Sequence, residues 1–271
     1  RGPCGTVHTM TYEFDEAIAI DANGDAELPE RWTMGPGFAH GGYLMSLALA
    51  AATTHSQHPD PLSMSAHFMR PGRVGKAAVA AESLKSGRQL GTVTAQILQD
   101  AKVDIATITT FSDLSQAADI AYRSAPFPDL PPPDECVSSS HAENPLVPRM
   151  VGNLDLRLTP ESTSWARGVQ LDWATMEGWV KFADDRPIDC LSIPMFADAL
   201  PPPIFSLGAF APWTPTIEMT VHFRRRPETE WLVVSFTTAL VGGKFFESSG
   251  TLWDDSRNLV AMSRQIQLVN R

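Results

Sequence analysis

Hydrophobic and polar residues alternate in four consecutive runs of the first half, Leu62–Met69, Ala77–Leu84, Leu90–Gln99 and Val103–Phe111. A period of two predicts half-buried strands, so these runs form an antiparallel meander. The pattern before them differs. Tyr43 to Thr54 carries small and apolar residues on every side, which predicts a helix buried over most of its circumference. Thr9 to Ile20 reads as an opening strand, and the glycine-rich approach Gly35-Pro-Gly-Phe-Ala-His-Gly-Gly42 leads into the helix.

The second half has the same grammar. Strands are predicted at Trp165–Trp173 and Trp179–Phe182, and a helix near Asp189–Ala199. Four more strands follow at Thr216–Arg224, Trp231–Ala239, Phe245–Trp253 and Leu259–Val269. Hairpin turns fit Asp100-Ala-Lys and Asp254-Asp-Ser-Arg-Asn.

The two halves also share residues. One offset of 155 pairs His67 with His222, Met64 with Met219, Phe68 with Phe223, Gly87 with Gly242, Asp100 with Asp255 and Ala106 with Ala261. A single shift that holds over so long a stretch is the mark of a duplicated domain, not of a solenoid of short repeats. The predicted organisation is a first repeat at 8–114, a linker at 115–148 and a second repeat at 149–271. The linker assignment rests on Pro126, Pro128, Pro131, Pro132, Pro133, Pro145, Pro148 and the run Ser138-Ser139-Ser140. One helix wrapped by an antiparallel sheet, twice over, is an α+β architecture and excludes a parallel α/β fold.

Composition narrows the chemistry. The 271 residues are 43% hydrophobic and 19% charged, with a net charge of −10. A chain of this kind fills a core, and it lacks the broad basic face that nucleic acid needs. Arg224-Arg225-Arg226 is the one basic cluster, read as a solvated face or as a contact for a small anionic ligand. Gly41 to Pro59 is interrupted by six consecutive polar residues from Thr53, so no membrane span is expected and a cytoplasmic location is. Three cysteines, Cys4, Cys136 and Cys190, supply neither a disulfide framework nor a cysteine-rich zinc site. Cys190 reads as a small buried hydrophobe. His55 and His58 border a proline-rich loop without a third ligand, so no metal is expected. No G-x-S-x-G elbow, phosphate loop or H-E-x-x-H helix occurs.

The ordered set Gly41-Gly42, His67-Phe68, Gly87-Arg88, Ala197-Asp198, Pro215-Thr216-Ile217, Leu252-Trp253-Asp254 and Leu259 through Gln265 resembles the bacterial type II acyl-CoA thioesterases. The resemblance covers nearly the whole chain outside the linker. It implies a double hotdog fold and hydrolysis of acyl-CoA to free acid and CoA without a cofactor. It also implies that Asp198, Thr216 and Gln265 are the hydrolytic residues. Asp198 would take a proton from water that Thr216 and Gln265 orient. Gly42 would offer its backbone N–H at the helix start to the developing oxyanion, and Gly41 beside it would belong to the substrate site. His40 would contact substrate or cap that helix. Two departures stand out. Glu218 occupies a position where aspartate is common, and the run from Asp198 to Thr216 is short and proline-rich.

Two other readings share the fold. A hydratase would need a D-x-x-x-x-H pattern on the helix, but Pro203 and Pro194 stand five residues after Asp198 and Asp189. A non-catalytic acyl-CoA-binding module is the remaining alternative, because fold alone does not fix function. Acyl-CoA is the expected partner, and the exposed faces leave further pairing into a homo-oligomer open.

Overall fold

The computed structural model describes residues 11–35, 37–116, 122–139, 147–208 and 214–269. Cys4, Pro36, Ser140, Pro145 and Pro212, and the start of the strand predicted at Thr9–Ile20, lie outside them. The first half runs α1 (Glu13–Ala17), β1 (Asp25–Leu28), β2 (Thr33–Gly35), β3 (Phe38–Ala39), α2 (Gly41–Thr53), β4 (Asp60–Phe68), β5 (Gly75–Ser86), β6 (Gly91–Gln99) and β7 (Lys102–Ser112). The remainder runs β8 (Val137–Ser138), β9 (Leu154–Leu158), β10 (Thr175–Phe182), α3 (Ile193–Phe196), β11 (Thr216–Phe223) and β12 (Leu232–Thr237). It closes with β13 (Val241–Gly242), β14 (Phe245–Asp254) and β15 (Leu259–Leu268).

One antiparallel sheet carries both halves, in the order β1-β5-β6-β7-β4-β11-β15-β14-β12-β10-β9-β8, with β13 beside β14. The alternation that predicted the meander is the alternation of burial. Val93, Ala95 and Ile97 of β6 face the core, while Thr92, Thr94 and Gln96 face away. The β6–β7 turn has Asp100 and Ala101 both in the left-handed region, at φ 52° and 56°. A two-residue turn with that geometry matches the right-handed twist of the flanking strands. Helix α2 is buried from Gly42 through Leu49, as its apolar circumference requires.

The halves meet along β4 and β11. Thr220 stands opposite Ser65, Glu218 opposite His67 and His222 opposite Ser63. Ser65 and Thr220 are 155 residues apart, the offset at which the sequence repeats, and their hydroxyls bond at 2.9 Å. A strand pairing in which each residue meets its own counterpart's neighbours about one central pair is the geometry of a two-fold interface.

Four expectations are corrected. Thr9–Ile20 is not a strand over its described part: Phe14, Ala17 and Ile18 are buried at helical spacing, and α1 turns them inward. Trp165–Trp173 is not a strand either. A 3₁₀ turn at Glu161–Arg167 is closed by Gly168 at φ 71°, and the strand of that region is β9, where Leu154, Leu156 and Leu158 alternate inward. The helix at Asp189–Ala199 contracts to the four residues of α3, because Asp189 and Ser192 spend their side chains on a local turn. The described proline-rich residues 122–139 of the linker pack against the second half. Pro131 accepts from Trp179 Nε1 at 2.9 Å, Pro133 accepts from Arg157 at 3.2 Å, and Val137–Ser138 pairs with β9. Proline lacks an N–H, so it can cover a sheet as an acceptor without a ladder of its own.

Arg226 is exposed but also anchored, its side chain keeping 48% of its exposure. It bonds both carboxylate oxygens of the buried Asp60, at 2.7 and 2.8 Å, across the two halves. His58 Nε2 contacts Gly87 O at 2.8 Å, tying its loop to the β5–β6 turn, and His55 Nδ1 contacts Ala51 O at 3.1 Å at the end of α2. Burial pushes the Cys190 thiol up to about 12, so almost none is thiolate at neutral pH. Cys190 should therefore resist iodoacetamide at pH 8 in the folded protein and react readily in denaturant. Equal labelling rates in both conditions, read by peptide mass spectrometry, would contradict that burial.

No described helix is long and apolar enough to cross a membrane.

Candidate functional site

The start of α2 and the end of α3 touch. Gly42 permits it: a Cβ there would stand 2.6 Å from Pro194 O and 2.9 Å from Asp198 Cβ. Asp198 follows α3 in a turn and is not on the helix as expected. Its carboxylate crosses to the first half, where Gly42 N–H donates to Oδ2 at 2.9 Å. A carboxylate at a helix N-terminus meets unpaired N–H groups and the positive end of the helix dipole. Oδ1 accepts no hydrogen bond among the described residues, and the side chain keeps 14% of its exposure. Burial pushes the Asp198 carboxyl up, against the opposing pull of His40 and of the Gly42 N–H.

His40 is the N-cap of α2. Its Nδ1 accepts from Tyr43 N–H at 3.2 Å, and its Nε2 lies 2.9 Å from Asp198 O and 3.3 Å from Asp198 Oδ2. The His40 side chain is 2% exposed. Gly41, the first helical residue, holds its backbone beside the same carboxylate. A Cβ on it would stand 2.9 Å from Asp198 Oδ2 and 3.3 Å from the Phe68 ring. Its own N–H has no acceptor among the described residues.

Thr216 and Gln265 form a second cluster. Thr216 Oγ1 donates to Gln265 Oε1 at 3.2 Å, and Gln265 is buried on β15. Among the described residues neither bonds Asp198 directly. Both clusters lie toward one end of the β4–β11 seam. β4 ends at Phe68, one residue past the His67–Glu218 pair, and β11 begins two residues before Glu218 at Thr216.

A β-bulge decides which way Thr216 points. The register with β15 shifts between Thr216 and Glu218, and one extra residue reverses the face of everything before it. Thr216 is thereby turned toward Gln265, while Glu218 stays on the outer face with Thr220, whose hydroxyl it accepts at 2.7 Å. The Glu218 departure thus concerns a side chain directed away from the Thr216–Gln265 pair.

Sequence reading passed over a buried polar line beside Gln265. Gln267 Oε1 accepts from Ser248 Oγ at 3.1 Å, and Ser248 meets Thr238 at 3.3 Å. Gln265 and Gln267 are two apart on one strand, so period two alone places both on the same face.

Residues 133–269 match the family model described as the acyl-CoA thioesterase C-terminal domain, and residues 28–112 match that of the N-terminal domain. No curated protein sequence matches the chain. A candidate thioesterase II from Thermobifida fusca is similar in structure, with a TM-score of 0.87 and 30% identity over 96% of this chain and 98% of that one. A protein of unknown function with a hot dog fold from Alicyclobacillus acidocaldarius reaches 0.85 at 21% identity, covering 97% and 99%. An acyl-CoA thioesterase II from Mycobacterium marinum reaches 0.70 at 17% identity, covering 95% and 98%. The last two likenesses establish a hot dog fold.

Proposed function

Since the chain belongs to the acyl-CoA thioesterase family and is a thioester hydrolase, we propose that it cleaves acyl-CoA at the start of α2, with Asp198 as base and Thr216 and Gln265 as water-positioning groups. The two repeats, 8–114 and 149–271, then make a double hotdog joined by 115–148. The offset pairing at Ser65 and Thr220 supports that division.

The observation that carries the reading is the one-sided engagement of the Asp198 carboxylate. Oδ2 is held by Gly42 N–H, and Oδ1 is left to take a proton. Water between Oδ1 and Gln265 Oε1, which keeps a lone pair after accepting from Thr216, is oriented toward the thioester carbon. As the C–O bond forms, Asp198 takes the water's proton and negative charge moves to the carbonyl oxygen. The unpaired N–H of Gly41 lies at the positive end of the helix and faces that charge. Collapse of the tetrahedral intermediate breaks the C–S bond, and the proton on Asp198 returns to the CoA thiolate. Gly42 N–H, already given to Asp198, positions the base.

Free thiol measured over time with acyl-CoA substrates from short to long chains tests this. Release proportional to protein is expected for at least one chain length. Binding without release from any of them would leave a non-catalytic acyl-CoA module instead.

A further inference from the structure

We infer that His40 is a positioning residue for Asp198, holding the base through a tautomer that the first turn of α2 imposes. This rests on Asp198 acting as the base. Nδ1 faces Tyr43 N–H at 3.2 Å and can only accept there. The ring's proton therefore sits on Nε2, where it donates to Asp198 O at 2.9 Å with Oδ2 at 3.3 Å. A second proton, on Nδ1, would point at the Tyr43 N–H and break the cap. The cap itself is rigid. Tyr43 stacks on Trp32 at 5.7 Å between ring centroids, and its hydroxyl donates to Ala17 O at 2.7 Å. The His40 backbone is tied to Trp32 O by its N–H and to Leu44 N–H by its carbonyl.

The consequence is geometric. His40 and Gly42 address the same oxygen of Asp198 from one side, which fixes the rotation of the carboxylate and keeps Oδ1 outward. Among the described residues His40 is the one titratable side chain in contact with this carboxylate; Pro194 and Met195 of α3 and Phe68 of β4 pack against the Gly41 and Gly42 backbone beside it. A substrate-contact role does not account for a ring that is almost wholly buried with both nitrogens engaged.

His40→Asn separates the two jobs, because asparagine is a good N-cap but its side chain is shorter than the reach to Asp198. His40→Ala removes both. The titration of the Asp198 carboxyl carbon by NMR should move to higher pH in both variants, since the Nε2–H dipole 3.3 Å from Oδ2 is lost from beside the charged form. Turnover should fall at least about tenfold with little change in KM, the mark of an interaction made in the transition state. The thermal midpoint should drop in His40→Ala and hold in His40→Asn. In an Asp198→Asn background, His40→Asn should change turnover no further. An unmoved Asp198 titration, a loss of rate that follows the thermal midpoint, or a His40→Asn chain that fails to fold would overturn the role. The NMR titration needs no turnover, so it decides the role of His40 even if the wild-type protein releases no thiol, which would instead defeat the hydrolytic reading of the site.

Discussion

Asp198→Asn lowers kcat by about 10²–10⁴-fold, the usual cost of removing a general base, and leaves the protein at least as stable at neutral pH. The amide keeps the size of the side chain, and its oxygen can still accept from Gly42 N–H, which in the wild type donates to the carboxylate at 2.9 Å. The stability half follows from the direction of the shift. Burial raises the folded-state pKa of Asp198 above its value in the unfolded chain. Its contribution is therefore fully present below the unfolded value and is lost as pH rises through the folded one. At pH 7 the native protein carries the cost of a buried carboxylate, which asparagine removes. Thermal unfolding at pH 4 and pH 7 checks this: the variant should gain on wild type only at the higher pH. Wild-type turnover in Asp198→Asn would end the base assignment.

Gly42→Ala should be the most damaging methyl that can be added near the site. The new Cβ would lie 2.6 Å from Pro194 O, 2.9 Å from Met195 Cα and 2.9 Å from Asp198 Cβ. Two of these three are backbone atoms, so no rotamer relieves the contact and α2 and α3 must separate. Overpacking of this kind costs about 1–3 kcal/mol, and separation also lengthens the bond that fixes Asp198. We expect a lower thermal midpoint together with a loss of turnover of about a hundredfold or more, as small displacements of catalytic groups produce. Gly152 is a fair control. A Cβ there meets nothing within 4 Å, and Gly152→Ala should leave turnover unchanged.

The strands of the meander and helix α2 were readable because burial imposes a period, and the period is written in the residues. The shorter pieces lack that signal. Five residues of α1, four of α3 and five of β9 are each too brief for a period to be distinguished, and Glu13, Asp15 and Glu16 mask the apolar face of α1. Asp198, Thr216 and Gln265 could be named only through a family resemblance. In isolation an aspartate near prolines, a strand threonine and a glutamine have no spacing that demands chemistry. The bulge before Glu218 was invisible for a different reason. It arises from register against β15, a long-range property, and it alone tells which of Thr216 and Glu218 shares a face with Gln265. The bond from Gly42 to Asp198 spans 156 residues and likewise has no local trace.

The seam at Ser65 and Thr220 bears on how such a chain can change over generations. When two identical subunits meet about a two-fold axis, every mutation appears on both sides at once, and a residue useful in one copy must be tolerable in the other. Joining the copies in tandem lifts that constraint. The seam keeps its mirrored register, yet position 65 has become serine where position 220 is threonine, and position 61 is proline where position 216 is threonine. One copy is then free to hold Asp198, Thr216 and Gln265 while the other supplies the helix start that receives them. The covalent tie also fixes their ratio at one to one, so the specialised copy can never be left without its complement.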